Sequence, residues 1–143
     1  MLKIALPKGK SLEERTFALF AEARIPVVRS SPTSYMVRFV DYPSLSFGAL
    51  LKPRRIPVLV ADGDFDIGIT GNDVVLESCA DVEICAELAY SRAIDTHTQG
   101  VIFACEDDPV RSVEEIPPGS VILSEYPNLL TLQQKGLHFP RKV

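Results

Sequence analysis

Apolar positions in the first half of the chain fall in short runs separated by turn residues, and one segment between them has helical spacing. Residues 3–6 form an apolar run that ends at Pro7, which predicts a first strand. Ser11 and Glu14 then form a capping-box pattern before apolar positions at helical spacing, so a helix is predicted over residues 11–23. The same patterns predict strands over residues 25–28, 36–40, 47–51 and 66–70, and a short helix over residues 56–61.

The second half of the chain predicts shorter elements and a boundary between two lobes. Composition becomes polar between residues 89 and 99, so we expect a first lobe over residues 1–90 and a partial second lobe over residues 91–143. Alternating strands and helices are typical of α/β architecture, which predicts a largely parallel sheet with helices on both faces. The remaining predicted elements are strands over residues 82–88, 101–105 and 121–123 and a helix over residues 129–135.

Composition and charge narrow the classes of partner. The 143 residues are 46% hydrophobic and 24% charged, with a net charge of -4, which argues against an extended nucleic-acid surface and against attraction to anionic membranes. No apolar run approaches the roughly 18 residues of a membrane-spanning helix, and the amino terminus lacks the apolar core of a signal peptide, so a cytoplasmic protein is expected. An odd number of cysteines without metal spacing predicts buried free thiols at Cys79, Cys85 and Cys105.

A glycine turn at the carboxyl end of the strand predicted over residues 66–70 is the first candidate site. Gly71 permits a tight turn, Asn72 is a good N-cap, and a helix is expected from Asp73. Ligands of open α/β sheets bind at the carboxyl ends of strands, and a helix amino terminus favours phosphate. The turn therefore suits an anionic or nucleotide ligand, although a simple connecting turn is the alternative interpretation.

Basic residues follow two other predicted strands. Lys8, Gly9 and Lys10 come directly after the first strand, and Lys52 and Arg54 come directly before the short helix predicted from residue 56. If the strands are parallel, these loops meet at one edge of the sheet, where the positive charges would attract phosphate. Solvated side chains beside ordinary turns are the alternative interpretation.

Four segments, taken in order, resemble the catalytic chain of ATP phosphoribosyltransferase. They are LPKGK at residues 6–10, KPRRIP at residues 52–57, DIGITGNDV at residues 66–74 and SEYPNL at residues 124–129. The resemblance implies an enzyme that opens histidine biosynthesis by joining nitrogen 1 of the adenine of ATP to the ribose of phosphoribosyl pyrophosphate. It also implies Mg²⁺ with the substrate phosphates and release of pyrophosphate.

The same resemblance implies a fold and a set of binding residues. The expected fold has two lobes of the periplasmic-binding-protein type with the site in the cleft, and the second lobe is incomplete here. On the nucleotide side, the resemblance places Lys8, Gly9, Lys10, Lys52, Arg54, Gly71, Asn72 and Asp73. On the opposite wall, it places Ser91, Arg92 and Tyr126.

Two lysines and the place where a phosphate-binding loop is expected are among the features that depart from the family pattern. Lysine stands at Lys10 and Lys52 where members commonly have arginine, so the charge is kept but the bidentate fork is lost. The acidic, Thr-Gly-Thr-like loop that holds the 5-phosphate of phosphoribosyl pyrophosphate comes later in the family than the segment at Tyr126, which predicts a truncated chain.

The sequence is compatible with two hypotheses about function. The chain is either a catalytic chain of this enzyme or a non-catalytic nucleotide-binding or regulatory module derived from it. The short form of the family, which the chain resembles, implies a homo-oligomer that works with a histidyl-tRNA-synthetase-like regulatory chain. Nucleic acid and membrane are not expected as partners.

Overall fold

The structure is a computed structural model that describes residues 1–88 and 105–134. The described residues form two compact units, one of residues 1–88 with 126–134 and one of residues 105–125. In the first unit the strands are β1 (Leu2–Pro7), β2 (Val27–Arg29), β3 (Met36–Phe39), β4 (Leu45–Leu51) and β5 (Ile67–Gly68). Its α-helices are α1 (Lys10–Glu22), α2 (Ile56–Ala61), α3 (Asn72–Ser78) and α4 (Pro127–Gln134), and Pro53–Arg55 forms a 3-10 helix directly before α2. The second unit has a 3-10 helix at Val113–Glu115.

One five-stranded mixed sheet with the order β2-β3-β4-β1-β5 organises the first unit. The strands β4, β1 and β5 are parallel, whereas β2, β3 and β4 form an antiparallel meander. The α/β class predicted from sequence is confirmed, and the sheet is mixed because the segment between α1 and β4 folds back on itself as two short strands. Parallel pairing brings the carboxyl ends of β4, β1 and β5 to one edge, and the start of β3 lies at that same edge.

The centre of the sheet is buried on both faces. Ile4, Ala5, Leu6 and Pro7 are all buried, although successive strand residues point to opposite faces, so β1 must be covered from both sides. On the face of Leu6, the core also contains Leu50, Val37 and Phe39, with Phe17 and Phe20 of α1 packed against it. Burial of β1 in the centre of the first unit therefore positions the loop that follows it.

Several predicted elements differ from the structure in the second half of the chain. Residues 82–88 and 121–123 form no strand, and Val121 and Leu123 are 97% and 98% exposed. An apolar run forms a strand only when a partner strand satisfies its backbone, and none of the described residues supplies one here. The helix α4 packs with the first unit, whereas the composition shift between residues 89 and 99 predicts it in the second lobe. Most of the strand predicted over residues 101–105 lies outside the described residues.

The three cysteines lie at the surface. Cys79, Cys85 and Cys105 are exposed, so the prediction of buried thiols is wrong: Cys79 directly follows α3, and the other two lie in segments without helix or strand. Within residues 1–88 and 105–134, no helix has the length and apolar character needed to cross a membrane.

Candidate functional site at the carboxyl edge of the sheet

Lys8 and Lys52 leave the sheet side by side. Pro7 pairs with Leu51, and the N–H of Lys8 donates to the carbonyl of Leu51 at 2.7 Å. After β1 the chain runs to β2 at one end of the strand order, and after β4 it runs to β5 at the other end. The direction of the strand order therefore reverses between the neighbouring strands β1 and β4. Such a reversal is where open α/β sheets bind ligands. Both lysines are exposed there.

The loop after β1 requires a glycine. Gly9 has φ 132° and ψ 138°, a conformation that only glycine adopts readily, and it is the N-cap of α1, which begins at Lys10. Its N–H donates to the carboxylate of Glu13 at 3.1 Å, and that carboxylate also pairs with Arg29 of β2. The sequence correctly predicts the helix, but the N-cap is Gly9 rather than Ser11, and Glu13 rather than Glu14 reaches back to it.

Asp73, Tyr126 and Arg54 form a contact cluster within the first unit. The hydroxyl of Tyr126 donates to Oδ2 of Asp73 at 3.0 Å, and the guanidinium carbon of Arg54 lies 5.4 Å from the centroid of the Tyr126 ring. The ring therefore lies within reach of a cation–π contact with Arg54 while its polar end holds a carboxylate. The resemblance places Tyr126 opposite the nucleotide side, whereas the structure places it against Asp73 and Arg54, because α4 docks on α3.

The turn between β5 and α3 makes room for the Asp73 carboxylate. A Cβ at Gly71 would lie 2.4 Å from Oδ1 of Asp73, so a side chain there would displace the carboxylate. Gly71 is the N-cap of α3 and Asn72 is its first residue, so the prediction of Asn72 as the N-cap is wrong: the helix starts one residue earlier. The Thr70 hydroxyl donates to the carbonyl of Pro53 at 3.3 Å, which connects this turn to the loop that carries Lys52 and Arg54.

Tyr35 is a neighbour of the basic loops that the sequence analysis does not identify. The Nζ of Lys8 donates to its hydroxyl at 3.0 Å and lies 4.3 Å from its ring centroid. The hydrogen bond from Lys8, the charge of Lys8 and a smaller contribution from Lys52 lower the pKa of Tyr35 below its usual value, although partial desolvation opposes them. No sequence motif marks Tyr35, because its place beside Lys8 depends on the antiparallel direction of β3 against β4.

The structure thus brings most of the predicted binding residues to one edge of the first unit. Lys8 and Gly9 follow β1, Lys52 and Arg54 follow β4, and Asp73 follows β5. Lys10 contributes the first residue of α1. Ser91 and Arg92 lie outside the described residues. In the described ranges, no group of three His, Cys, Asp or Glu side chains could hold a metal ion.

Comparisons with a family model and with curated proteins all match the chain to ATP phosphoribosyltransferase. A family model described as ATP phosphoribosyltransferase matches residues 52–139, a range that contains Lys52, Arg54, Asp73 and Tyr126. An ATP phosphoribosyltransferase from Thermodesulfovibrio yellowstonii is 39% identical over 116 residues, which are 81% of this chain and 38% of that protein. One from Koribacter versatilis is 34% identical over 142 residues, which are 99% of this chain and 47% of that protein. The chain spans less than half the length of these curated relatives.

A solved structure gives a weaker match. The ATP phosphoribosyl transferase (HisG:HisZ) complex from Thermotoga maritima is 31% identical in sequence and has a TM-score of 0.43. The match covers 54% of this chain and 35% of that chain.

Proposed function

The chain belongs to the ATP phosphoribosyltransferase family, and we propose that it forms the nucleotide site of an enzyme that joins ATP to phosphoribosyl pyrophosphate. The products are phosphoribosyl-ATP and pyrophosphate, in the first step of histidine biosynthesis. One observation carries the assignment of the site: Lys8 and Lys52 leave neighbouring parallel strands where the strand order reverses.

The described side chains suit a nucleotide. Lys8, Lys52 and Arg54 are exposed cations that follow two paired strands, and such charges bind phosphate oxygens through charge-assisted hydrogen bonds. Asp73 accepts one hydrogen bond from Tyr126, and a carboxylate has further lone pairs for a hydroxyl or amine of the nucleotide. The site therefore offers donors for the phosphates and an acceptor for the rest of the nucleotide.

The proposed reaction needs no protein nucleophile. Nitrogen 1 of adenine attacks the anomeric carbon of the phosphoribosyl donor, the bond from that carbon to the pyrophosphate oxygen breaks, and the pyrophosphate leaves with the bonding electrons. Cationic side chains favour this step because they stabilise negative charge that grows on the leaving group. The chief contribution of the chain is to hold ATP so that the attacking nitrogen faces the donor.

A divalent cation, which we propose to be Mg²⁺, would bind at this site together with the substrate phosphates. The described residues offer no cluster of three ligands, and Mg²⁺ commonly binds through phosphate oxygens and water with few protein carboxylates. When bound, it would offset phosphate charge.

The proposal extends to parts of the enzyme that the described residues do not include. Ser91 and Arg92 would contribute to a second wall, in a two-lobed fold of the periplasmic-binding-protein type. We also propose a homo-oligomer that acts with a histidyl-tRNA-synthetase-like regulatory chain, on the basis of the resemblance to the short form of the family. Light scattering of the chain alone and with a candidate regulatory chain tests this part, and a monomer under both conditions contradicts it.

Calorimetric titration of the full 143-residue chain with ATP tests the nucleotide site. We expect Lys8→Met and Lys52→Met each to raise the ATP Kd about tenfold, since each removes a charged hydrogen bond to phosphate. Lys3→Met is the matched control, because Lys3 lies at the other end of β1, beside the carbonyl of Gly63. Pyrophosphate release is then measured with phosphoribosyl pyrophosphate and Mg²⁺. Failure of the wild-type chain to bind ATP at millimolar concentration contradicts the proposal.

A further inference from the structure

Tyr35 lies at the nucleotide edge of the sheet although it belongs to a different part of the chain. It directly precedes β3, which pairs antiparallel with β4 through Met36 and Ala49. Its carbonyl accepts a hydrogen bond of 2.7 Å from the N–H of Leu50, so its backbone is held against the end of β4. The residue is 56% exposed, and its hydroxyl lies beside Lys8, so a ligand of Lys8 can reach it.

The contact with Lys8 leaves hydrogen-bonding capacity on both partners. The Lys8 ammonium has three N–H donors and gives one to the Tyr35 oxygen at 3.0 Å. A neutral phenol that accepts this bond keeps its own O–H proton and can donate it elsewhere. An anion that approaches Lys8 can therefore receive one hydrogen bond from the ammonium and a second from the hydroxyl.

We propose that Tyr35 is a further substrate-binding residue, whose neutral hydroxyl donates to a phosphate oxygen of ATP that Lys8 binds at the same time. The inference rests on the proposed function, because it takes the phosphates of ATP as the occupant of this edge. The proposal places one phosphate of ATP between the end of β1 and Tyr35, the residue that precedes β3.

The protonation state of Tyr35 gives this role a characteristic pH dependence. Lys8 and Lys52 are the charged groups that face it, and together they lower the pKa of Tyr35. Loss of the proton removes the donor and adds a negative charge beside the phosphate, so ATP binding weakens as the pH rises through the lowered pKa. By linkage, bound phosphate favours the neutral phenol and raises the pKa of Tyr35 again.

Tyr35→Phe tests the inference in the full chain, with Tyr42→Phe as the matched control. Tyr42 is also exposed, but it lies at the opposite end of the β3–β4 hairpin. At about pH 7 we expect Tyr35→Phe to raise the ATP Kd about fivefold, the effect of one hydrogen bond, and Tyr42→Phe to leave it unchanged. From about pH 7 to about pH 10, ATP affinity should fall more steeply in the wild type than in Tyr35→Phe. Both proteins carry the same lysines, so the difference between their profiles reports the Tyr35 phenol alone.

Tyrosinate absorbance provides a second measurement. Addition of ATP or inorganic pyrophosphate should move one tyrosinate transition of the wild type to higher pH, and Tyr35→Phe should lack that transition. If Tyr35→Phe matches the wild type in affinity and pH profile while Lys8→Met binds weakly, the inference is overturned and the proposed function stands. A wild-type chain that binds neither ATP nor pyrophosphate overturns both.

Discussion

The hydroxyl of Tyr126 donates a 3.0 Å hydrogen bond to the carboxylate of Asp73, although 53 positions separate the two residues. The contact joins the first turn of α3 to the residue directly before α4. The ring of Tyr126 also lies beside Arg54, in the loop that carries Lys52. A single side chain thus connects α4 to two of the loops in the proposed nucleotide site.

Removal of the Tyr126 hydroxyl should destabilise the chain slightly. Tyr126→Phe keeps the ring beside Arg54 but loses the bond to Asp73, and we expect the free energy of unfolding to fall by about 0.5–1 kcal/mol, because Asp73 is exposed. Urea unfolding of Tyr126→Phe, Asp73→Ala and the double variant measures the coupling. Strictly additive losses would show that the bond contributes nothing in solution.

The docking of α4 depends on the carboxylate of Glu77. Its two oxygens accept hydrogen bonds from the N–H groups of Asn128 at 3.1 Å and Leu129 at 2.9 Å, at the start of α4. Glu77→Ala leaves both donors without this partner, which corresponds to the loss of a helix cap, so we expect a loss of about 1–2 kcal/mol. Hydrogen exchange at residues 128 and 129 measures the effect directly. Glu83→Ala, at an exposed residue with no such contact to α4, should leave that exchange unchanged.

Gly68→Ala and Gly63→Ala should lower the free energy of unfolding for two different reasons. A Cβ at Gly68 would lie 2.4 Å from Cγ2 of Ile56, which is 1% exposed, so Gly68→Ala overpacks the contact between β5 and α2 and should cost about 1–3 kcal/mol. A Cβ at Gly63 meets nothing within 4 Å, but its φ of 79° makes alanine cost about 1 kcal/mol. Only the first loss should shrink when Ile56→Ala is added, as measured by urea unfolding.

Sequence patterns predict helices and strands of the first unit correctly where one hydrophobic period, helical or alternating, extends over the whole element. The helix predicted over residues 11–23 is α1 at Lys10–Glu22, and the strand predicted over residues 47–51 lies within β4. Alternating strands and helices placed the basic loops at one edge, because parallel strands end on the same side. The side-by-side exit of Lys8 and Lys52 follows from that topology and from the register of Pro7 with Leu51.

Features that depend on the path of the chain between elements were not predictable. Tyr35 reaches Lys8 because β3 runs antiparallel to β4, and the sequence does not specify that direction. Tyr126 contacts Asp73 because α4 returns to the first unit, whereas the composition shift near residue 90 predicts that this helix belongs to another lobe. In both cases, long-range packing decides which polar groups meet, and local periodicity carries no information about it.

Gly9 should be the most sensitive backbone position of the nucleotide loop. Its φ of 132° disfavours alanine, although a Cβ would meet nothing within 4 Å, so Gly9→Ala strains the backbone and should cost about 1–3 kcal/mol. The loop can relieve the strain only if the residues around Lys8 move, and we therefore expect weaker ATP binding as well. Urea unfolding and ATP titration measure the two effects.

Glu13→Gln removes the negative charge beside the loop but leaves Gly9 in place, so it separates the effect of that charge from the effect of the Gly9 backbone conformation. The amide keeps an acceptor for the N–H of Gly9 but loses the ion pair with Arg29, whose side chain is 28% exposed. Partial solvent screening limits the stability loss to about 0.5–1 kcal/mol, and ATP affinity should change less than in Gly9→Ala because the backbone conformation of Gly9 is retained. Equal ATP affinities for Gly9→Ala and the wild type would contradict a fixed loop geometry at this site, whatever the stability of the variant.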